Sequence, residues 1–226
     1  MEKIKEYIQK QQNVKTEFLL FNSVPIKIFD ALEVKNKFSI DELIKNLELI
    51  LPLNIKNIIK SINILNDPIF NVKKVNAFYH DNQLFISNKQ DDINDIIDDI
   101  VHEFAHAINQ KYTDFIHEDG QIEKEFLQKR NLLKNMLKYR DYNIDNYNFD
   151  MLQYDKELDD FFYKIVKYEI INKITNYGLL ISPYAITSLQ EYFATGFEEY
   201  VLGDHKDLAY ISPMLYKKIK KLLEDE

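Results

Sequence analysis

The chain has no cysteine in 226 residues. Disulfides, thiolate nucleophiles and thiolate metal ligands are all excluded, and the redox compartment is left open. No apolar run approaches the roughly 18 residues needed to cross a bilayer, so no membrane-spanning helix is expected. The opening segment MEKIKEYIQKQQNVK is charged and polar, with no hydrophobic stretch behind it. A secretory signal is therefore not expected, which leaves cytoplasmic residence, association with a phage particle or delivery by a non-classical route. Positive charge is in deficit: 29 Lys and Arg against 37 Asp and Glu give a net charge of −8. That balance argues against a nucleic-acid partner.

What is present is a globular composition. Apolar residues make up 46% of the chain and aromatics 13%, enough for a sizeable core. The patterning predicts an α+β fold, predominantly helical. Residues 1–70 read as an N-terminal helical lobe. In it, Ser39-Ile40-Asp41-Glu42 has the form of a capping box opening a helix to about Leu49, and Asn54 begins a helix that turns Ile55, Ile58, Ile59 and Ile62 inward. Residues 71–226 read as the chemistry-bearing domain, packed with the lobe as one unit. Within it, apolar and aromatic residues flank Asp81-Asn82 and predict a β-hairpin over 74–87. A polar helix is expected over about 121–138 after Gly120, an irregular Tyr/Asn/Asp-rich stretch over 139–154, and one helix over 156–177 closed by Gly178. Two more helices follow, one from Ser188 to Leu202 and one opened by Ser212-Pro213.

The most informative stretch is His102-Glu103-Phe104-Ala105-His106. Ile93, Ile96, Ile97, Ile100, Phe104, Ala107 and Ile108 form an apolar stripe of helical period around it. Four helical residues advance the chain about 400° and about 6 Å, so both imidazoles point the same way, off that stripe, and can share one metal ion. Glu103 lies about 100° round from His102. It can reach a water activated by the ion without ligating the ion itself. This arrangement suits zinc-assisted hydrolysis, one Zn²⁺ per chain, with Glu103 as general base. Asp95, Asp98 and Asp99 on the same helix read as a solvated face, and His80 at the hairpin turn as a surface residue.

Two histidines are not a catalytic zinc site, which needs a third protein ligand. Glu191 is the leading candidate, with Glu169, Glu198 and Glu199 as rivals on other helix faces. Against Glu191 stands Ser188-Leu189-Gln190-Glu191, a second capping box that would engage the glutamate side chain with a backbone N–H.

HEFAHAI followed by Tyr184, six residues and Glu191-Tyr192-Phe193-Ala194 resembles the anthrax lethal factor–like zinc peptidases, which include the Pro-Pro endopeptidases. The resemblance covers the hairpin, the motif helix and residues 184–202, well under half the chain. It implies a zincin-like core, zinc ligands His102, His106 and Glu191, Glu103 as base, and Tyr184 as hydrogen-bond donor to the tetrahedral intermediate. It also implies a protein or peptide substrate, whose backbone would pair with the hairpin edge. Thr195 departs from the family pattern, which often has an acid there; Glu198 can supply the missing support to a histidine. The 85 residues from His106 to Glu191 exceed the family's expected spacing, so the segment around 115–160 reads as an insertion.

Three alternatives compete. A peptide deformylase needs a cysteine ligand and is excluded. A di-iron bundle needs a second E-x-x-H, and only Glu103…His106 has that form. A catalytically inactive relative serving as a binding or structural protein of a phage or toxin system would keep the scaffold, but all five site residues are intact.

Overall fold

In the computed structural model, which describes residues 16–21, 23–51, 58–175 and 178–224, β-branched residues of the N-terminal half build a five-stranded mixed sheet. Its strands are β1 (Thr16–Leu20), β2 (Val24–Ile28), β4 (Ser61–Leu65), β5 (Ala77–His80) and β6 (Gln83–Ser87), in the order β1-β2-β4-β6-β5. Strands β2, β4 and β6 run parallel, while β1 and β5 are antiparallel edges. A short parallel pair, β3 (Glu33–Val34) with β7 (Lys89–Gln90), stands apart.

The chain divides into two compact units, residues 1–111 and 112–226. The expected helical lobe over 1–70 is not found: β1, β2, β3 and β4 fall within it. Helix α1 (Ile40–Ile50) does form as expected, and Ser39 Oγ accepts from Glu42 N at 3.1 Å. The helix expected from Asn54 lies partly outside the described residues. Ile58 and Ile59 are buried but not helical, and Ile62 sits on β4. The reason is burial on both faces. Every residue of Ser-Ile-Asn-Ile-Leu in β4 is buried, and a central strand between parallel neighbours shows no polar alternation to distinguish it from a helix. Asn63 belongs there because its amide Nδ2 donates to Leu84 O at 3.1 Å and to Ser61 Oγ at 3.0 Å.

Helix α2 (Pro68–Lys73) precedes the hairpin. Asp81 and Asn82 have φ of 51° and 61°, the doubly left-handed geometry of a type I′ turn, which matches strand twist. Tyr79 Oη donates to Asn82 Oδ1 at 2.7 Å across it. Phe29, Leu65, Phe70, Phe78 and Phe85 pack together as a local core. Helix α3 (Ile93–Lys111) then packs on β5 and β6. Asp92 Oδ1 caps its start by accepting from Asn94 N at 2.8 Å, and Ile96, Ile97, Ile100, Phe104, Ala107 and Ile108 are buried.

The second unit is helical: α4 (Thr113–His117), α5 (Gln121–Tyr139), α6 (Lys156–Asp160), a π-helical turn Phe161–Val166, α7 (Tyr168–Thr175), a 3-10 turn Pro183–Ile186, α8 (Leu189–Leu202), α9 (His205–Ile211) and α10 (Pro213–Glu224). Gly120, at φ 63°, makes the left-handed turn into α5. The single helix expected over 156–177 is instead broken. Phe161 and Phe162 are both buried, stacking on Tyr147 and packing edge-on against Phe149 respectively. A widened turn accommodates two adjacent inward rings, with Lys167 N donating to Phe162 O at 2.7 Å. Lys167 then takes φ 71° and ends the turn. Tertiary packing has overridden helix propensity here.

Helix α5 is polar, but three of its charges point inward. Glu125 accepts from Met214 N (2.9 Å) and Leu215 N (3.1 Å), capping α10. Lys129 Nζ donates to Leu179 O (2.6 Å) and Ile211 O (2.7 Å). Arg130, fully buried, donates to the backbone carbonyls of Ile186 (2.9 Å), Thr187 (2.7 Å) and Met151. Each fixes a joint between elements rather than a solvated surface.

Candidate metal centre

His102 and His106 occupy one face of α3, both half-buried, with ring centroids 5.1 Å apart and planes at 79°. That is what the one-turn spacing predicts. Glu103, also half-buried, lies beside them on the same helix. The acids preceding them do not form one solvated face. Asp95 and Asp98 are exposed, and Asp95 Oδ2 accepts from Asp91 N at 3.1 Å. Asp99 is half-buried and accepts from Gln90 Nε2 at 2.9 Å. Burial pushes its carboxyl up to about 6, partly offset by the Gln90 amide and by His102.

Glu191 is in the first turn of α8. Ser188 Oγ accepts from Glu191 N at 3.1 Å, which forms the serine half of the expected capping box. A carboxylate oxygen of Glu191 and one nitrogen from each of His102 and His106 all lie within 4.8 Å of one another. Among the described residues, no other group of three His, Asp or Glu side chains is drawn together in this way. Of the rival glutamates, Glu169 is exposed and Glu198 and Glu199 are half-exposed, with Glu199 Oε1 accepting from Asp204 N at 3.1 Å. His80 stays at the hairpin turn, 3.5 Å from Asp81.

The donor set fits zinc. Two imidazoles and a carboxylate are a known catalytic combination, and bonds of about 2.0–2.2 Å to a tetrahedral ion separate the donors by about 3.4 Å. The three donor atoms lie within 4.8 Å of one another.

Tyr184 is on the 3-10 turn, 41% exposed. Its backbone is tightly held: Tyr184 N donates to Ser182 Oγ (3.3 Å), and Tyr184 O accepts from Thr187 N (3.0 Å) and Thr187 Oγ1 (2.9 Å). Its ring meets the ring of Tyr168 edge-on at 6.1 Å. Sequence reasoning missed the buried cation Arg130, which grips the carbonyls of Ile186 and Thr187 shortly after Tyr184. No local pattern marks an arginine whose partners are carbonyls 56 and 57 residues away.

Comparison of the chain with protein-family models, with curated proteins and with solved structures gives no match.

Proposed function

We propose that this chain is a zinc-dependent endopeptidase with a zincin-like core. The observation that carries the reading is the convergence of His102, His106 and Glu191, whose donor atoms lie within 4.8 Å of one another although Glu191 stands 85 positions after the second histidine. Zinc bound there would polarise a peptide carbonyl and make water acidic enough to ionise near neutral pH.

The chain's own groups supply the rest. Glu103 accepts the proton of the attacking water and delivers it to the departing amine, a role worth roughly 10²–10⁴ in rate. The Tyr184 phenol donates a hydrogen bond to the oxyanion that develops on the carbonyl; losing one such donor typically costs about 10²–10³ in kcat. Strand β5 is a sheet edge and α3 packs on it. An extended substrate adding to that edge gains backbone hydrogen bonds whatever its side chains.

The test is hydrolysis of a broad peptide library by zinc-loaded protein, wild type against Glu103→Ala. The expected result is cleavage by the wild type, and loss of cleavage with zinc retained in the variant. A zinc-loaded wild type that binds peptides but hydrolyses none would replace this reading with that of an inactive binding protein.

A further inference from the structure

A hydrogen-bond donor stabilises a transition state only when it is already aimed, and a displacement of about 1 Å can cost on the order of 10²-fold in rate. The backbone of Tyr184 is fixed from both sides. Its own N–H and carbonyl are bound by Ser182 and Thr187, and Arg130 holds the carbonyls two and three residues on, at Ile186 and Thr187. A fixed backbone does not by itself set the direction of the side chain, which is 41% exposed.

The ring of Tyr168 stands against it, centroids 6.1 Å apart and planes at 66°, an edge-to-face arrangement that favours one relative orientation. Tyr168 is itself anchored. Its hydroxyl bonds Asp159 Oδ1, and the other oxygen of that carboxylate accepts from Tyr154 Oη at 2.7 Å. Asp159 is at the end of α6, and Tyr168 opens α7 on the far side of the left-handed break at Lys167. The irregular course of the chain between them thus brings Tyr168 back to a carboxylate nine residues earlier.

We propose that Tyr168, anchored through Asp159, is a positioning residue that aims the phenol of Tyr184. This rests on the peptidase reading of Tyr184, and it gives the segment following α5 a role in aligning the reaction.

The test is a double-mutant cycle on a peptide that the zinc-loaded wild type cleaves, with ¹⁹F NMR of 3-fluorotyrosine at position 184 as a readout independent of activity. Tyr168→Leu is expected to lower kcat by about 10-fold with KM and zinc content unchanged. Tyr168→Phe, which keeps the ring but not the Asp159 anchor, is expected to fall between the wild type and Tyr168→Leu. In a Tyr184→Phe background, Tyr168→Leu adds nothing. The fluorine line is single and narrow in the wild type, and shifted or broadened in Tyr168→Leu. If Tyr184→Phe loses kcat while Tyr168→Leu changes neither kcat nor the fluorine line, the positioning role is overturned and the peptidase reading stands. If Tyr184→Phe keeps full kcat, or nothing is cleaved, the oxyanion role fails. The fluorine line then still decides whether Tyr168 orients the ring: an unchanged line overturns the proposal.

Discussion

Ser188 Oγ accepts a hydrogen bond from the backbone N–H of Glu191 at 3.1 Å, so the residue that caps α8 also fixes the main chain of the candidate zinc ligand. Glu191 is thereby set at the helix N-terminus, where the unpaired N–H groups favour a negative charge. Removing the cap frays this turn. Ser188→Ala should cost about 1 kcal/mol of stability and weaken zinc binding, both recovered by Ser188→Asp. Urea unfolding and zinc titration of the three proteins measure this; unchanged zinc affinity in a measurably destabilised Ser188→Ala would separate the cap from the ligand.

Glu191 itself should matter more. Purified protein is expected to carry about one zinc per chain, and Glu191→Ala should lose affinity by more than the roughly 10–100-fold typical of outer-shell changes. Metal analysis after dialysis against a weak chelator distinguishes the cases. Zinc held at full affinity by Glu191→Ala would remove it from the ligand set.

How much of this was legible beforehand depends on the range of the interaction. The His102/His106 face, the Asp81-Asn82 turn and the Ser39 and Ser188 caps are set by neighbours within a few residues, and each forms as its sequence pattern predicts. Strand β4 gives no strand signal in the sequence because its isoleucines are buried on both faces, which erases the alternation that marks a strand. The break between α6 and α7 follows from Phe161 and Phe162 meeting Tyr147 and Phe149, a packing event invisible in helix propensity. The charges of α5 are a further case. In sequence Glu125, Lys129 and Arg130 belong to a helix marked only as polar, yet all are buried on backbone partners distant in the chain. Each marks a joint that sequence-local reasoning could not see.

One of those joints is the start of α10. Glu125 accepts three hydrogen bonds, from Met214 N, Leu215 N and Tyr192 Oη (2.8 Å). Burial and the nearby carboxylate hold the Tyr192 phenol well above its ordinary range, so it stays a donor at neutral pH. Glu125→Gln turns an amide N–H₂ toward groups that are themselves donors, leaving a buried mismatch. It should therefore cost about 2–3 kcal/mol, more than the roughly 1 kcal/mol expected of Tyr192→Phe, which removes one bond and one partner. Chemical denaturation of both variants ranks them; equal costs would mean that the backbone N–H groups of 214 and 215 do not depend on the carboxylate.

Lys129 makes the pH dependence of folding testable. Burial pushes its ammonium down to about 8 from 10.5, although two carbonyls accept from it. Below about pH 8 folded and unfolded chains both hold the proton. Between about 8 and 10.5 the unfolded chain still holds it and the folded chain has released it, so this residue adds stability as pH rises, by about 1.4 kcal/mol per pH unit inside that window. Lys129→Met keeps much of the side-chain length and cannot titrate. The difference in unfolding free energy, wild type minus variant, should therefore move in the wild type's favour by about 1 kcal/mol per unit from pH 8.5 to 9.5, while staying flat below pH 7.5. Using the difference cancels tyrosine ionisation common to both proteins. A difference that stays constant across the whole range would show that the two carbonyls hold the ammonium charged in the folded chain, and that its burial carries no titration cost.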